Sequence, residues 1–473
     1  MRPIEDPSGD RGPAVPHGGR CRVRVAGLSV CALLAGVVGV QAFDLAAARQ
    51  LRLDNGLRLL VLEERALPLV SVQMLYTVGA RDESFGATGL AHFVEHMAFR
   101  ATESFPDTEV VSAIYAVGGE WHGYTWLDQT TYFETVPRES LDLVLRIEAD
   151  RMARLVVPPD EVEAERGAVL AEWQGYQNDP ASVLHDATLA ASFVQHPYRN
   201  NTIGWESDLR AIDHRAIVDF YRRHYHPGNA VLAVVGDVDA DAVAARVEEL
   251  FGTLPAYAPT PPPATVEPRQ EGVRRVEVAW PGLERRFDVV YRAPEVTHPD
   301  FVPFLLIQEL LGGGRGVSFL QQVGPVPGRP GAWLEGVAEE VETWLLPSPQ
   351  PYVFMVSGNA GVDGEEARSA IEDAIEERIA RLRRGTVDGK ELAAARARVQ
   401  RELMFDVETT EDAAHQLAFY AGLGALDVLL GLPALVDRVQ VDDLRRAAAT
   451  WLRPEARTIG WTVPAPPAAE LEV

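Results

Sequence analysis

The stretch Leu90-Ala91-His92-Phe93-Val94-Glu95-His96-Met97 decides how the rest of the chain is read. A helix advances about 100° per residue, so histidines four apart share one face and Glu95 falls between them. Leu90, Phe93, Val94 and Met97 gather on the other face. The segment therefore offers an apolar side to a core and a His/Glu side to a cavity. Neutral imidazole is a good zinc ligand, and two imidazoles on successive turns reach one ion. A carboxylate beside them can take a proton from water at the metal. The order His-x-x-Glu-His inverts the more familiar His-Glu-x-x-His zinc helix. The plain alternative is a surface helix that happens to carry two histidines and a glutamate.

Working outward, the chain has 473 residues, enough for two or three domains. Its 47% hydrophobic content is that of a globular protein. The formal net charge of −25 argues against nucleic acid, whose phosphates need a basic surface. Residues 1–42 read as an export signal. Arg20, Arg22 and Arg24 precede an apolar run from Val25 to Val40, and Val40-Gln41-Ala42 has the small-x-small pattern of a cleavage site. Uncleaved, this segment would be the chain's one expected membrane contact. Cys21 and Cys31 both lie inside it, so a mature chain has neither disulfides nor thiolate ligands to offer. The expected location is periplasmic or secreted.

Along the chain, Leu51–Leu62 reads as a hairpin about Asp54-Asn55-Gly56, followed by a strand over Val70–Val78 and the His92 helix. Val110–Val117 is helical, Thr130–Val136 a strand, and Leu141–Leu155 an amphipathic helix. Pro158-Pro159 ends that helix, and Asp160 with Glu163 reads as a capping box for the next one. On it, Glu165 and Glu172 are two turns apart and share a face. A polar stretch with His185 and His196 follows, then a helix over Asp213–His224, a strand over Asn229–Val235 and a helix over Ala240–Phe251.

Residues 253–275 form a Pro-rich linker, and the plan then repeats. Tyr225-His226-Pro227 before one strand is echoed by Leu452-Arg453-Pro454 before another, an offset of 227 residues. The expected division is a signal over 1–42, a zinc-binding domain over 43–252, the linker, and a homologous domain over 276–473. Phe301–Leu311, the counterpart of the His92 helix, has no histidine, so a metal belongs to the first copy.

A catalytic zinc keeps three protein ligands and one open position. His92 and His96 supply two, and without cysteine the third is His, Asp or Glu. Composition alone cannot select it from 69 acidic residues.

The chain resembles the pitrilysin/insulysin-type zinc metallopeptidases, which include the mitochondrial processing peptidases. The resemblance rests on Gly89 through Phe99, on Gly118-Gly119 with Thr125, and on Glu148-Ala149-Asp150-Arg151-Met152. It continues through Glu165 to Glu172, His196-Pro197-Tyr198, Phe220-Tyr221-Arg222 and Gly236-Asp237-Val238. It implies an α+β fold of two homologous domains, each an antiparallel sheet packed with helices, facing each other across a cleft. It implies one zinc ion held by His92, His96 and Glu172, with Glu95 as general base and Glu165 assisting beside the ligand helix. Peptide substrate would pair with a strand edge at Trp121, His122 and Gly123. The family commonly has Asn-Ala where this chain has His122-Gly123, so His122 becomes a candidate proton donor or extra ligand. The family's second half also carries an Arg and, seven residues on, a Tyr that help bind substrate. Arg315 to Pro325 lacks that pair. A homologous partner chain is therefore expected to bring it, with Tyr352 the substitute available within this chain. The expected activity is that of an exported zinc endopeptidase, and the competing class is a non-catalytic assembly subunit.

Overall fold

The structure, a computed structural model, describes residues 43–106, 109–282, 284–312, 338–361 and 363–465. The signal segment with both cysteines, Gly313-Gly314 and the Arg315–Pro325 stretch lie outside the described residues.

The first sheet is built from β1 (Arg49–Arg52), β2 (Arg58–Glu63), β3 (Leu69–Tyr76), β5 (Glu120–Thr125), β6 (Thr130–Pro137) and β8 (Ala230–Gly236), in the order β1-β2-β8-β3-β6-β5. Two-residue strands β4 (Ala101–Thr102) and β7 (Leu155–Val156) form a separate ribbon. The second sheet holds β9 (Arg274–Trp280), β10 (Arg286–Arg292), β11 (Glu340–Leu345), β12 (Val353–Asn359) and β13 (Thr458–Pro464), in the order β11-β12-β10-β13-β9. Read from its other edge, the second sheet runs β9-β13-β10-β12-β11, the same wiring as β2-β8-β3-β6-β5 in the first. Each sheet is antiparallel except for one matching parallel pair, β2 with β8 and β9 with β13. The Pro227 and Pro454 turns each lead into the corresponding strand, β8 or β13.

Helices α1 (Leu90–Ala98), α2 (Glu109–Ala116), α3 (Leu141–Ala153), α4 (Pro159–Gln177), α5 (Pro180–Ser192), α6 (Glu206–Ala211), α7 (His214–His224) and α8 (Ala240–Phe251) belong to the first half of the sequence. The second half has α9 (Phe301–Leu311), α10 (Glu365–Arg384), α11 (Gly389–Phe405), α12 (Thr410–Gly422), α13 (Leu426–Arg438) and α14 (Val441–Trp451).

Two of these helices cross over. α5 packs on β9, β10 and β13 of the second sheet, while α12 packs on β3 and β8 of the first. The crossing explains β8, whose seven residues are all buried. Leu232 and Val234 point into the core beneath α1, α3 and α7, while Val231, Ala233 and Val235 meet Ala413, Ala414, Leu417 and Ala418 of α12. A strand covered on both faces reads as an unbroken apolar run, not an alternation.

Two sequence expectations change here. Asp160 does not cap α4; Pro158 occupies the cap and Pro159 the first helical position, where a missing N–H costs nothing, so Asp160 lies inside the first turn. The polar stretch around His185 is the helix α5, started by Asp179, whose side chain accepts from the Ser182 N–H, with Pro180 at its first position. Its apolar stripe is thin, which hid the periodicity.

Arg151 on α3 is fully buried and explains the Glu148-to-Met152 motif. Its guanidinium pairs with Glu148 and with Glu134 of β6, lies 4.5 Å over the Tyr132 ring, and donates from Nε to the Ala98 carbonyl that ends α1. Asp150 accepts from the Ser104 N–H at 2.9 Å. The motif thus ties the C-terminal end of α1 to the sheet. Arg151→Met would strand two buried carboxylates, and breaking such a group from one side costs about 3–5 kcal/mol. Urea unfolding of the variant should show a loss of that size; a loss below about 1 kcal/mol would contradict the role given to Arg151.

Candidate metal centre

α1 begins where the chain turns through Gly89, at φ 83°, a left-handed conformation natural to glycine. A Cβ there would also come within 2.3 Å of the Ile203 carbonyl oxygen. Glu83 accepts from the N–H groups of Gly89 and Ala91, satisfying two donors at the helix start. Burial pushes the Glu83 carboxyl up to about 8. Phe93, Val94 and Met97 are fully buried, and this anchors the face that turns His92 and His96 outward.

The structure brings His92, His96 and Glu172 together. His92 Nε2 and His96 Nε2 are 3.2 Å apart. Glu172 Oε2 lies 3.4 Å from the His96 nitrogen and 3.6 Å from that of His92. A tetrahedral ion with bonds of about 2.0–2.2 Å holds its ligand atoms about 3.3–3.6 Å from one another. The three donors, 3.2, 3.4 and 3.6 Å apart, therefore come close to the separations such an ion requires, and their number leaves a fourth position. Two imidazoles and one carboxylate, with no thiolate, match the donor set of catalytic zinc.

Glu165, two turns before Glu172 on α4, accepts from His96 Nδ1 at 2.8 Å. That bond fixes the ring and turns Nε2 toward the donor group. Glu165 thus meets the site through His96 and is not one of the three donors. Arg100, which the sequence reading missed, lies 3.1 Å from Glu165 and 2.8 Å from Glu161, tying the end of α1 to α4. Removing a carboxylate that orients a ligand histidine typically weakens metal affinity 10–100-fold. Glu165→Ala should lose zinc affinity by about that factor in chelator competition; unchanged affinity would separate Glu165 from the site.

The electrostatics agree with a cation site. Burial, with His96 next to it, lowers His92 to about 4. Burial also opposes charge on His96, but its hydrogen bonds to Glu165 and Glu172 prevail and raise it to about 9. Those bonds hold the Glu165 and Glu172 carboxyls below their usual range. Glu95 is buried, which pushes it up to about 7, and Thr125 at the end of β5 donates to its Oε2 at 2.9 Å.

β5 is the outermost strand of its sheet, paired on one side with β6. Trp121, Gly123 and Thr125 face α1. Trp121 packs on Phe99 with ring centroids 4.4 Å apart, and a Cβ at Gly123 would come within 2.5 Å of the Phe99 ring. Phe99 therefore accounts for glycine at that position. His122 points to the other face of the strand, against Phe133. It is outside the donor group, which corrects its candidacy as an extra ligand. His196 is likewise elsewhere, bonded to Gln350. Tyr352 is buried between Phe193 and Tyr198, so it is not placed to substitute for a substrate-binding tyrosine.

Tyr176, four residues after Glu172 on α4, lines a cavity of about 370 Å³, together with Trp126 and His185 of the first half and Arg286, Asp288 and Trp344 of the second. No local sequence pattern marks it, because its walls come from both halves.

Two family descriptions match: Insulinase (Peptidase family M16) over residues 59–205 and Peptidase M16 inactive domain over residues 211–399. The chain is 27% identical over 407 residues to the zinc protease PqqE of Helicobacter pylori, covering 85% of this chain and 89% of that protein. It is 36% identical over 201 residues to an uncharacterised zinc protease of Mycobacterium leprae, 42% of this chain and 45% of that one. Among solved structures, a protease from Helicobacter pylori superposes with a TM-score of 0.79 at 25% identity, over 88% of this chain and 99% of that one. The first half of the periplasmic protease PqqL from Escherichia coli shares the fold, with a TM-score of 0.69 at 20% identity over 88% and 92% of the two chains. The two matched stretches together span most of the sequence, and the chain belongs to the M16 (insulinase/pitrilysin) family of zinc peptidases.

Proposed function

We propose that this chain is a zinc-dependent endopeptidase that cleaves peptides or unfolded segments. The observation that carries the reading is the donor group of His92, His96 and Glu172, spaced for one tetrahedral ion with a buried carboxylate, Glu95, on the same helix. When bound, zinc supplies Lewis acidity toward water and toward the scissile carbonyl.

The protein's own residues do the rest. Glu165 holds the His96 ring, and Thr125 ties one oxygen of Glu95, leaving the other for proton transfer. Glu95 takes the proton from the attacking water and hands it to the departing amine. The open edge of β5 receives the substrate as an added strand, through main-chain groups at Trp121, His122 and Gly123.

Two further elements belong to the proposal. Export rests on the basic and apolar composition of residues 20–42. A homologous partner chain is proposed to bring the Arg/Tyr pair that Arg315–Pro325 lacks, because positioning the carbonyl supplies several kcal/mol of the barrier. Turnover of an unstructured peptide by the purified chain, alone and with that partner, tests both activity and assembly. The expected result is weak turnover alone and at least tenfold more per zinc with the partner. Equal rates per zinc would remove the partner from the mechanism, and no turnover in either preparation would remove the peptidase reading.

A further inference from the structure

Resting on the peptidase reading, we infer that Tyr176 is a further catalytic residue of this chain, donating a hydrogen bond from its phenol to the scissile carbonyl oxygen as that oxygen takes up negative charge. Tyr176 lies four residues after Glu172 on α4, and so on the same helix face, one turn away. Helical side chains lean toward the N-terminus of their helix, so the ring reaches back over the turn that carries Glu172.

Three observations set Tyr176 apart from the core and on the side of α4 that carries the metal donor. Tyr176 is 46% exposed, an unusual state for a large aromatic in a protein that buries most of its tyrosines. It lines the cavity whose other walls come from α5, the segment after β5 and the second sheet. It is also within electrostatic range of both Glu172, a metal donor, and Glu95, the proposed base. Among the described residues its hydroxyl makes no hydrogen bond, so it is available to a ligand.

The chemistry needs such a group. A carbonyl under attack gains charge on oxygen, and a preorganised donor stabilises the transition state more than the ground state. The phenol keeps its proton, since burial and the nearby carboxylates raise it above its ordinary value. It acts by donation alone and transfers no proton. The other tyrosine considered for this role, Tyr352, is buried away from solvent. Tyr176 is thus a donor on this chain's own side of the substrate, distinct from any pair on a partner.

The test is Tyr176→Phe in the full chain, purified with its partner if the partner proves necessary. Loss of one such donor typically costs about 10²–10³-fold in kcat. The variant should retain one zinc per chain and a KM for an unstructured peptide within about threefold of wild type, with kcat reduced about 10²-fold. A phosphinic peptide, whose tetrahedral charged oxygen mimics the transition state, should lose affinity by a similar factor, a change that a merely structural role for the ring would not produce. Unchanged kcat, or reduced kcat with unchanged phosphinic affinity, would overturn the assignment while leaving the peptidase reading intact. A wild-type chain with full zinc and no turnover would overturn both.

Discussion

Glu95→Gln should yield a protein that binds one zinc per chain and does not cleave peptides. Glu95 does not coordinate in this arrangement: the three donors with metal-like separations are His92, His96 and Glu172. Glutamine keeps the size of the side chain and can still pair with the Thr125 hydroxyl that holds Glu95 at 2.9 Å. What it cannot do is accept a proton from water. Loss of a general base costs about 10²–10⁴-fold, so kcat should fall by at least the lower figure. Zinc content by elemental analysis and turnover of an unstructured peptide together decide the matter. Retained turnover in a preparation free of wild type would assign the base elsewhere.

The second large effect concerns the donors. His92→Ala and His96→Ala should each abolish stoichiometric zinc, and Glu172→Ala should weaken it strongly. Two remaining donors make a poor site for an ion that takes three protein ligands in catalytic centres. The variants should also differ in their collateral effects. His96→Ala removes the partner of Glu165, leaving that carboxylate facing Arg100 alone, whereas His92 Nδ1 is buried with no hydrogen-bond partner among the described residues. His92→Ala should therefore be the milder of the two for folding. Full zinc retention in all three variants would sink the assignment.

The parts of the site legible in the sequence are those held by local geometry. His92, Glu95 and His96 share a helix face by spacing alone, and the seven-residue offset from Glu165 to Glu172 puts both carboxylates on one side of α4. The repeat is legible in the Pro227 and Pro454 echo, which the matching strand orders bear out. The parts that escaped depend on contacts distant in sequence. The exchange of α5 and α12 between the sheets leaves no local pattern, and α5 itself looks like a polar stretch because its buried face is only Leu184, Thr188, Leu189 and Ser192 beyond its first turn. Arg100 matters through α4, some sixty residues away, and the spacing of a motif cannot show that. His122 stood next to the site in sequence, yet the two-residue period of a strand sends it to the opposite face from Thr125.

The central claim is that one zinc ion at this centre makes the chain a peptidase. Titrating the metal-free chain with zinc while following peptide hydrolysis tests it most directly. The rate should rise linearly and break at one equivalent per chain, and the His92→Ala protein should show no such rise. Hydrolysis that proceeds without added metal, or that ignores zinc beyond a trace, would contradict the account.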